Sequence, residues 1–420
     1  MRSGCLDILR RSPELRGSRV TPRRGGRPEV SRTVGLIAAA TALAVIFVSS
    51  GSPIPLYNVF RVEDGLTDAD LALATVAYII ATSLALLVVG RLSNYLGRKP
   101  VAVASVLFAL GGMLLMMTVH SFPVLLAARV LQGAACGVAT SALGSWIVDL
   151  ASNRPSWLPA LLTGTLPPFT LPVGGLVSGA LAEYGPAPRV LMFMLVAIAL
   201  AVLAALLCVS PETVRPAPGA LASLIPRVHI PHRRGRALVG VGSALLATWA
   251  FSGSYQAFAA AIAADYLGTS DRFVIALVFS SVVILSPVGG LMAGALQGHL
   301  AVRIGIIGFL VGAVGAASAL RMGVIAPFLF ASYLVGIASG MVSAGGIGIL
   351  LRRTKSSDRA GMLATIYLIC YGGQVLPGLV SSQLSRSVGV PNIILGYVAL
   401  GVVLGAFALV LLQSERSERG

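Results

Sequence analysis

Charged residues are scarce in this chain of 420 residues, where they make up 11%, while hydrophobic residues make up 56%. A soluble domain carries about 25% charged residues. The uncharged stretches form hydrophobic runs that can cross a bilayer, which takes about 20 apolar residues each. The scarcity of charge therefore excludes an ordinary soluble protein and predicts an integral membrane protein.

Patterns that carry metal or catalytic chemistry are also missing. The four cysteines are scattered and the four histidines fall in predicted loops, so neither a disulfide framework nor a metal centre is predicted. The phosphate-binding pattern Gly-x-x-x-x-Gly-Lys-Ser/Thr does not occur. A membrane enzyme acting on lipids would need paired acids or histidines near an interface, and these are not clustered. The sequence therefore predicts no cofactor, no metal and no enzymatic activity.

Twelve hydrophobic runs are predicted to be membrane-spanning helices, because they are continuously apolar rather than alternating. The first six lie at about 34–59, 70–90, 100–119, 123–148, 159–182 and 190–209. The second six lie at about 237–264, 273–296, 303–321, 325–350, 361–383 and 391–413. The predicted domains are a disordered basic tail (1–33), a six-helix bundle (34–210), a Pro- and Arg-rich linker (211–236), a second bundle (237–413) and a tail (414–420).

The basic residues predict the orientation of these helices. If the N-terminus is cytoplasmic, 25 of the 31 lysines and arginines fall in cytoplasmic segments. The positive-inside rule asks for such a bias, so both termini are expected to be cytoplasmic in a cell-membrane protein. The net charge of +16 is then explained by orientation and by contact with anionic lipid headgroups, and no nucleic-acid partner is predicted.

An internal repeat appears when the chain is shifted by about 204 residues. Three short patterns then match in order, which favours a duplicated six-helix unit. They are Gly90-x-Leu92 with Gly294-x-Leu296, Gly133-x-x-x-Gly137 with Gly336-x-x-x-Gly340, and Leu171-Pro172 with Leu376-Pro377. The sequence thus predicts an all-α polytopic membrane protein whose twelve transmembrane helices form two pseudo-symmetric six-helix bundles.

Two motifs make the region 34–413 similar to the major facilitator superfamily. The loop after the second span runs from Gly90 to Lys99 and resembles the family pattern Gly-x-Leu-x-Asp-Arg-x-Gly-Arg-Arg/Lys, with Asn94 and Tyr95 in place of the aspartate and the first arginine. The fourth span carries the family's arginine followed by Gln132-Gly133. The resemblance implies a twelve-helix transporter with a substrate path between its halves.

The resemblance also implies that the loop is a cytoplasmic gate. Its two glycines permit close helix approach and a tight turn, and its basic pair can bond an acid, for which Asp149 is the only acid expected at that depth. The alternative is that Arg98 and Lys99 merely follow the positive-inside rule. The predicted gate comprises Gly90, Asn94, Gly97, Arg98, Lys99 and Asp149.

Arg129 is the one strongly charged residue well inside a predicted span. A charge there costs about 2.5 kcal/mol or more, so it is expected to face a cavity or a partner; the alternative is that it snorkels to the outer headgroups. For Tyr57, Trp249 and Tyr255 the alternative is an interfacial aromatic belt. The candidate cavity residues are Arg129, Gln132, Tyr57, Trp249, Tyr255, Gln256, Tyr367, Tyr371 and Gln374, the last three on one helix face.

The coupling ion and the direction of transport are considered from the acidic residues and from the fifth span. No acid lies at a predicted midplane, and the best candidate, Asp265, is expected to be a surface residue at a helix end. The fifth span resembles an antiporter motif of the family, which suggests export. Its Pro172, Gly174 and Gly175, like Gly133 and Gly137, are predicted to serve helix packing.

The sequence therefore predicts a secondary active transporter that works by alternating access and exports a small hydrophobic or amphipathic compound. Uptake of a small, anionic metabolite is the first alternative, with Arg129 as its anchor. A transport-inactive membrane scaffold or sensor is the second. The predicted partners are a small-molecule substrate, a proton as candidate coupling ion and membrane lipids, and the protein is expected to be a monomer.

Overall fold

Twelve helices in the described part of the chain are long and apolar enough to cross a membrane, which confirms the predicted fold class. The computed structural model describes residues 31–155, 157–225, 235–352, 354 and 359–417. The first six helices are α1 (Arg32–Asp64), α2 (Asp68–Val89), α3 (Arg98–Met116), α4 (Phe122–Leu150), α5 (Trp157–Tyr184) and α6 (Leu191–Cys208). The second six are α7 (Gly235–Tyr266), α8 (Arg272–Ala295), α9 (Gly298–Met322), α10 (Ile325–Leu351), α11 (Arg359–Leu384) and α12 (Val390–Ser417).

The structure differs from two predicted boundaries. Helix α1 begins inside the predicted tail 1–33, because the Ser31 hydroxyl accepts the N–H of Val34 and caps the helix at Arg32. Helix α12 continues to Ser417, since the polar residues after 413 include good helix formers. The rest of both tails, and residues 226–234 of the predicted linker, lie outside the described residues.

The same pairs of helices pack in both sets of six. Helix α1 packs against α4, α5 and α6, as α7 packs against α10, α11 and α12. The pairs α2–α4, α3–α4 and α3–α6 likewise correspond to α8–α10, α9–α10 and α9–α12. Between the sets, α5 packs on α8 and α2 packs on α11. Because the repeat makes α2 equivalent to α8 and α5 equivalent to α11, these two contacts are equivalent as well. The fold is therefore two copies of one six-helix unit, related by a pseudo-two-fold axis.

Glycines bring the fourth helix of each set against the second. A Cβ added at Gly137 of α4 would clash with the carbonyl oxygen of Thr82 in α2. A Cβ at Gly340 of α10 would clash with the carbonyl oxygen of Ser286 in α8. Gly133, one turn earlier in α4, is equally close to α2. The repeated Gly-x-x-x-Gly pattern thus lies at the same helix crossing in both sets.

Helix α1 is interrupted by two prolines. Pro53 and Pro55 have no N–H, so carbonyl groups four residues earlier, such as that of Ser49, lose their intrahelical partner. The helix accordingly runs from Arg32 to Gly51 and again from Tyr57 to Asp64, with a 3-10 turn between the two pieces. The equivalent helix α7 has no proline and is α-helical without interruption through residues 235–261.

The two sets are in close contact towards one end of the bundle. We call the end where α1 begins and α12 ends the terminal end, and the opposite one the distal end. Towards the distal end, a Cβ at Gly179 of α5 would lie 2.6 Å from the Ala276 side chain of α8. Towards the terminal end of the same helices, a Cβ at Gly164 or Gly294 would meet no described atom within 4 Å. The path between the sets is therefore closed distally.

Candidate functional site

Two side chains of α4 bind the broken part of α1. The Nη1 of Arg129 donates to the carbonyl oxygen of Ser50 at 2.8 Å and to the Oε1 of Gln132 at 2.8 Å. The Nε2 of Gln132 donates to the carbonyl oxygen of Ser49 at 3.0 Å. This is the carbonyl group that Pro53 leaves without a backbone donor. Helix α4 therefore replaces a donor that the proline removes, and we call Arg129, Gln132, Ser49 and Ser50 the polar clamp.

Arg129 is 0% exposed, so the alternative that it snorkels to the headgroups is wrong. Its guanidinium carbon lies 4.4 Å from the centre of the Tyr78 ring in α2, a favourable cation–π contact. Its Nε and Nη2 have no hydrogen-bond partner within the described residues, and its guanidinium makes no ion pair there. A buried cation with two unpaired nitrogens is costly. Its bonds to the Ser50 carbonyl group and to Gln132 hold it at the break in α1.

The second set has an aromatic contact where the first has the polar clamp. Ser332 of α10 stands where Arg129 stands in α4, four residues before the paired glycine. Its Oγ lies 2.7 Å from the hydroxyl oxygen of Tyr255, whose ring stacks on Phe328 with 5.7 Å between centroids. Tyr255 and Tyr57 are both 0% exposed. The aromatic-belt alternative is therefore wrong for both tyrosines.

Three aromatic residues come together where α7 meets α11. The rings of Trp249 and Tyr371 form an edge-to-face pair with 5.5 Å between centroids, and Tyr367 stacks on Tyr371 at 6.2 Å. One turn nearer the terminal end, the same helices line an open, mostly apolar cavity of about 380 Å³. Its lining residues are Leu238, Val239, Gly242, Ser243, Leu246, Thr365, Leu368 and Ile369. Trp249, Tyr367 and Tyr371 are half-buried, so this aromatic face is open enough to contact a ligand.

The two remaining cavity candidates, both glutamines, flank this face. The side chain of Gln374 packs against Gly253, where an added Cβ would lie 3.2 Å from its Cγ. Gln256 is 7% exposed, and its Oε1 has no hydrogen-bond partner in the described part of the chain. The nine predicted residues thus fall into separate places: the polar clamp, the aromatic face with its two glutamines, and the enclosed Tyr57 and Tyr255.

The predicted gate residues meet at the terminal end of the first set. The Nε of Arg98 lies 2.9 Å from the Oδ2 of Asp149, in an ion pair between α3 and α4. The Nη1 of Arg98 donates to the Oδ1 of Asn94 at 2.6 Å and to the Ser93 hydroxyl at 2.9 Å. Asn94 therefore accepts a bond from the loop arginine, although as an amide it does so more weakly than a carboxylate would.

The expectation that Asp149 is the only acid at this depth is wrong, because Glu212 also lies there. Its carboxylate accepts the backbone N–H groups of Arg98 and Lys99, each at 2.9 Å, and so caps the start of α3. Gly97 has a φ of +98°, and a Cβ there would lie 2.7 Å from the Oε2 of Glu212. The signal that could have located Glu212 is its position four residues after α6 ends at the terminal end.

Ion pairs join the two sets at the distal end. Both terminal nitrogens of Arg61 in α1 donate to the carboxylate of Asp265 in α7, at 2.5 and 2.6 Å. The guanidinium of Arg272 at the start of α8 lies 3.7 Å from the carboxylate of Glu183 in α5, which also accepts the backbone N–H of Arg272 at 3.0 Å. Asp265 is thus at a helix end, as predicted, but it binds the opposite set.

A further ion pair at the distal end stays within the first set. Arg189, in the connection between α5 and α6, binds Asp64 and lies 2.7 Å from Glu63 at the end of α1. Partial burial lowers the pKa of Arg189, but bonds to the two carboxylates more than offset this and raise its pKa above the ordinary value. Arg189 therefore stays charged at any physiological pH.

Comparisons with known proteins agree with this geometry. Residues 37–262, more than half of the chain, match the family model of the Major Facilitator Superfamily. A crystal structure of a mutant of the nucleoside transporter NupG has a similar fold, with a TM-score of 0.70 and 12% sequence identity over 90% of this chain and 99% of that one. No curated protein is significantly similar in sequence. At such low identity the structural likeness shows the fold alone.

Proposed function

The chain belongs to the major facilitator superfamily, and from this premise we propose that it exports a small hydrophobic or amphipathic compound as a secondary active transporter. As a family member it is a multi-pass membrane transporter and not an enzyme. Alternating access would proceed by rocking of the two six-helix sets about a site between them. The proposal concerns substrate class, direction and coupling.

The observation that carries the proposal is the apolar cavity beside the aromatic face. Its volume of about 380 Å³ lies in the range of about 300–1,000 Å³ for sites of drug-sized ligands, which are mostly apolar with a few polar groups. A compound that prefers such a surface also dissolves in lipid and leaks inward without help. Only its removal against that leak requires a transporter, so an apolar site favours export.

The charge distribution supports loading from the cytoplasm. Under the positive-inside rule the terminal end, which holds the basic loops, faces the cytoplasm of a cell-membrane protein. An exporter must bind its compound from that end. We propose that it works as a monomer surrounded by lipid and that protons moving inward drive export.

The test is transport by purified protein in proteoliposomes. Vesicles loaded with a fluorescent lipophilic cation are given an imposed pH gradient, and dye movement is compared with that in protein-free vesicles. Trp249→Ala and Tyr371→Ala should each slow the flux about tenfold, because each removes one half of the edge-to-face pair beside the cavity.

Phe330→Ala is the matched control, since this aromatic side chain of α10 is 76% exposed on the outer surface and should leave flux unchanged. Flux that does not depend on the pH gradient would show that protons do not drive export. Equal losses of flux in the control and in the site variants would show that the aromatic face does not bind the compound.

Uptake of a small anionic metabolite is the second candidate, and one observation favours it. The buried guanidinium of Arg129 has two nitrogens without hydrogen-bond partners in the described residues, which a ligand carboxylate or phosphate could satisfy. NupG is a nucleoside transporter by its title, but the low identity transfers no substrate. Uptake of labelled organic anions that disappears in Arg129→Gln, with no dye export, would replace the first proposal by this one.

A further inference from the structure

Arg61 is shared between two carboxylates that belong to different halves of the molecule. Besides its two bonds to Asp265 in α7, its Nη1 lies 3.3 Å from the Oδ1 of Asp68 at the start of α2. Its Nη2 also donates to the Oδ1 of Asn58 at 3.0 Å. Asp68 and Asn58 are in the same set as Arg61, whereas Asp265 is in the opposite set. One cation therefore has partners on its own side and one partner across the path.

The bond across the path is the one that must break when the distal end opens. Asp265 lies in the last turn of α7, in a π-helical segment that spans residues 262–266, and α1 carries Arg61 on the facing end of the first set. The contact between Arg272 and Glu183 crosses between α8 and α5 at the same end. Both contacts disappear if the two sets rotate apart distally, while the contact between Arg61 and Asp68 is unaffected by that rotation.

We propose that Arg61 is a transferable cation that latches the distal end, held by Asp265 when this end is closed and by Asp68 when it is open. The inference rests on the proposed alternating-access function and adds to it a named gate. Asp68 is essential to it, because it lowers the cost of release by providing Arg61 with a carboxylate on its own side. An arginine without this second acid would be left unpaired, which is costly for a partly buried charge.

The latch has a consequence that a simple ion pair would not have. Removing the charge of Asp265 leaves Arg61 with Asp68 and should open the distal end. Removing the charge of Asp68 leaves Arg61 with Asp265 alone and should close the distal end further. Two substitutions with the same change in charge, on acids that contact the same arginine, are thus expected to act in opposite directions.

The experiment measures distances between spin labels in nanodiscs and needs no substrate. Ser121 and Val324 occupy equivalent, exposed positions at the distal starts of α4 and α10. They are replaced by labelled cysteines in a chain whose native cysteines are alanines. Asp265→Asn should raise the ratio of distal-open to distal-closed molecules about fivefold, the size expected for a partly exposed bidentate arginine–carboxylate pair. Asp68→Asn should lower the same ratio.

Glu63→Gln is the matched control, because Glu63 is an acid of the same distal region that pairs within its own set. It should leave the distance distribution unchanged. The double variant Arg61→Asp with Asp265→Arg restores an ion pair across the path but leaves Asp68 without its cation, so it should lower the ratio below that of Asp265→Asn, which shows that the shift in Asp265→Asn is not misfolding.

The latch is overturned if both asparagine variants shift the ratio the same way, or if Glu63→Gln shifts it as much as Asp265→Asn. The readout also separates this proposal from the proposed function. Opposite shifts without export of any dye would keep the latch and reject the substrate class. Dye export with an unchanged distance distribution in every variant would support the substrate class and reject the latch.

Discussion

The two halves of the molecule share one helix crossing but use it differently. In the first half, α4 meets an α1 that two prolines have broken, and Arg129 and Gln132 bind the carbonyl groups of Ser50 and Ser49. In the second half, α10 meets a continuous α7, and Ser332 bonds the tyrosine of an aromatic stack. The glycines that set the backbone distance are repeated, while the residues beside them are not. The repeat therefore preserves the fold. The residues that depart from it form the polar clamp in the first half and the stack of Tyr255 on Phe328 in the second.

The largest expected effect tests the part that the halves share. Gly137→Val and Gly340→Val each place a side chain against a carbonyl oxygen of the neighbouring helix. Because both the helix and its neighbour would have to move, each should cost about 3 kcal/mol or more. The measurement is the thermal midpoint and the monodisperse fraction in detergent.

Gly396→Val in α12 is the control for this pair, since a Cβ there meets no described atom within 4 Å. Its effect should be limited to the difference in helix propensity between glycine and valine, a few tenths of a kcal/mol in favour of valine. If α10 tolerates its valine and α4 does not, the two crossings are not equivalent and the comparison between the halves fails.

The next effect tests where the halves differ. Arg129→Leu removes the donor to the Ser50 carbonyl group and leaves the Gln132 side-chain oxygen unpaired, which should destabilise the protein by about 2 kcal/mol. Ser332→Ala, at the equivalent position of α10, loses one neutral hydrogen bond and should cost about 1 kcal/mol. Thermal midpoints of both variants, measured side by side, check the order. A larger loss for Ser332→Ala would mean that the clamp does not hold the break in α1.

Much of the fold could be predicted from the sequence, because its signals are local. The hydrophobic runs fix twelve helices, and the Gly-x-x-x-Gly patterns mark the crossings, since small residues are needed wherever two helices approach closely in a membrane. The gate residues from Asn94 to Arg98 also lie close together along the chain. Each of these patterns requires only neighbouring positions to be compared.

The candidate site was less predictable, because its contacts join residues far apart in sequence. Asp265 finds Arg61 across the two halves, and Glu212 returns to the start of α3. Neither acid lies in a motif, so no local pattern predicts the partner of either one. Tyrosine is common both in ligand cavities and in interfacial aromatic belts. Only the packing shows that Tyr57 and Tyr255 are enclosed.

A smaller effect tests the acid at the terminal end, where the loop of the first half carries a charged cluster. Glu212→Gln keeps the size of the side chain but replaces a charged cap at the start of α3 by a neutral one. The loss of charge at a helix N-terminus should cost about 0.5–1 kcal/mol. Glu63→Gln is the matched control, because Glu63 lies at the distal end and pairs within its own set, and the spin-label distance at Leu96 and Leu300 should respond to Glu212→Gln alone. An equal response to both variants would show a general effect of charge.

The smallest effect concerns Asn94, which stands where the family pattern has an aspartate. Asn94→Asp would give Arg98 a second carboxylate beside Asp149, at a contact that is now 2.6 Å from the amide oxygen. Because the guanidinium already bonds Asp149 and the loop is partly exposed, the gain should be below about 1 kcal/mol. The matched control is Asn392→Asp in α12, where the amide oxygen accepts from Arg321 at 3.2 Å on the exposed distal surface. A change in transport rate with Asn94→Asp but not with Asn392→Asp would show that the strength of the loop contact sets the rate, as a gate requires. The same small change in both would show that the loop contact is an ordinary surface contact and not a gate.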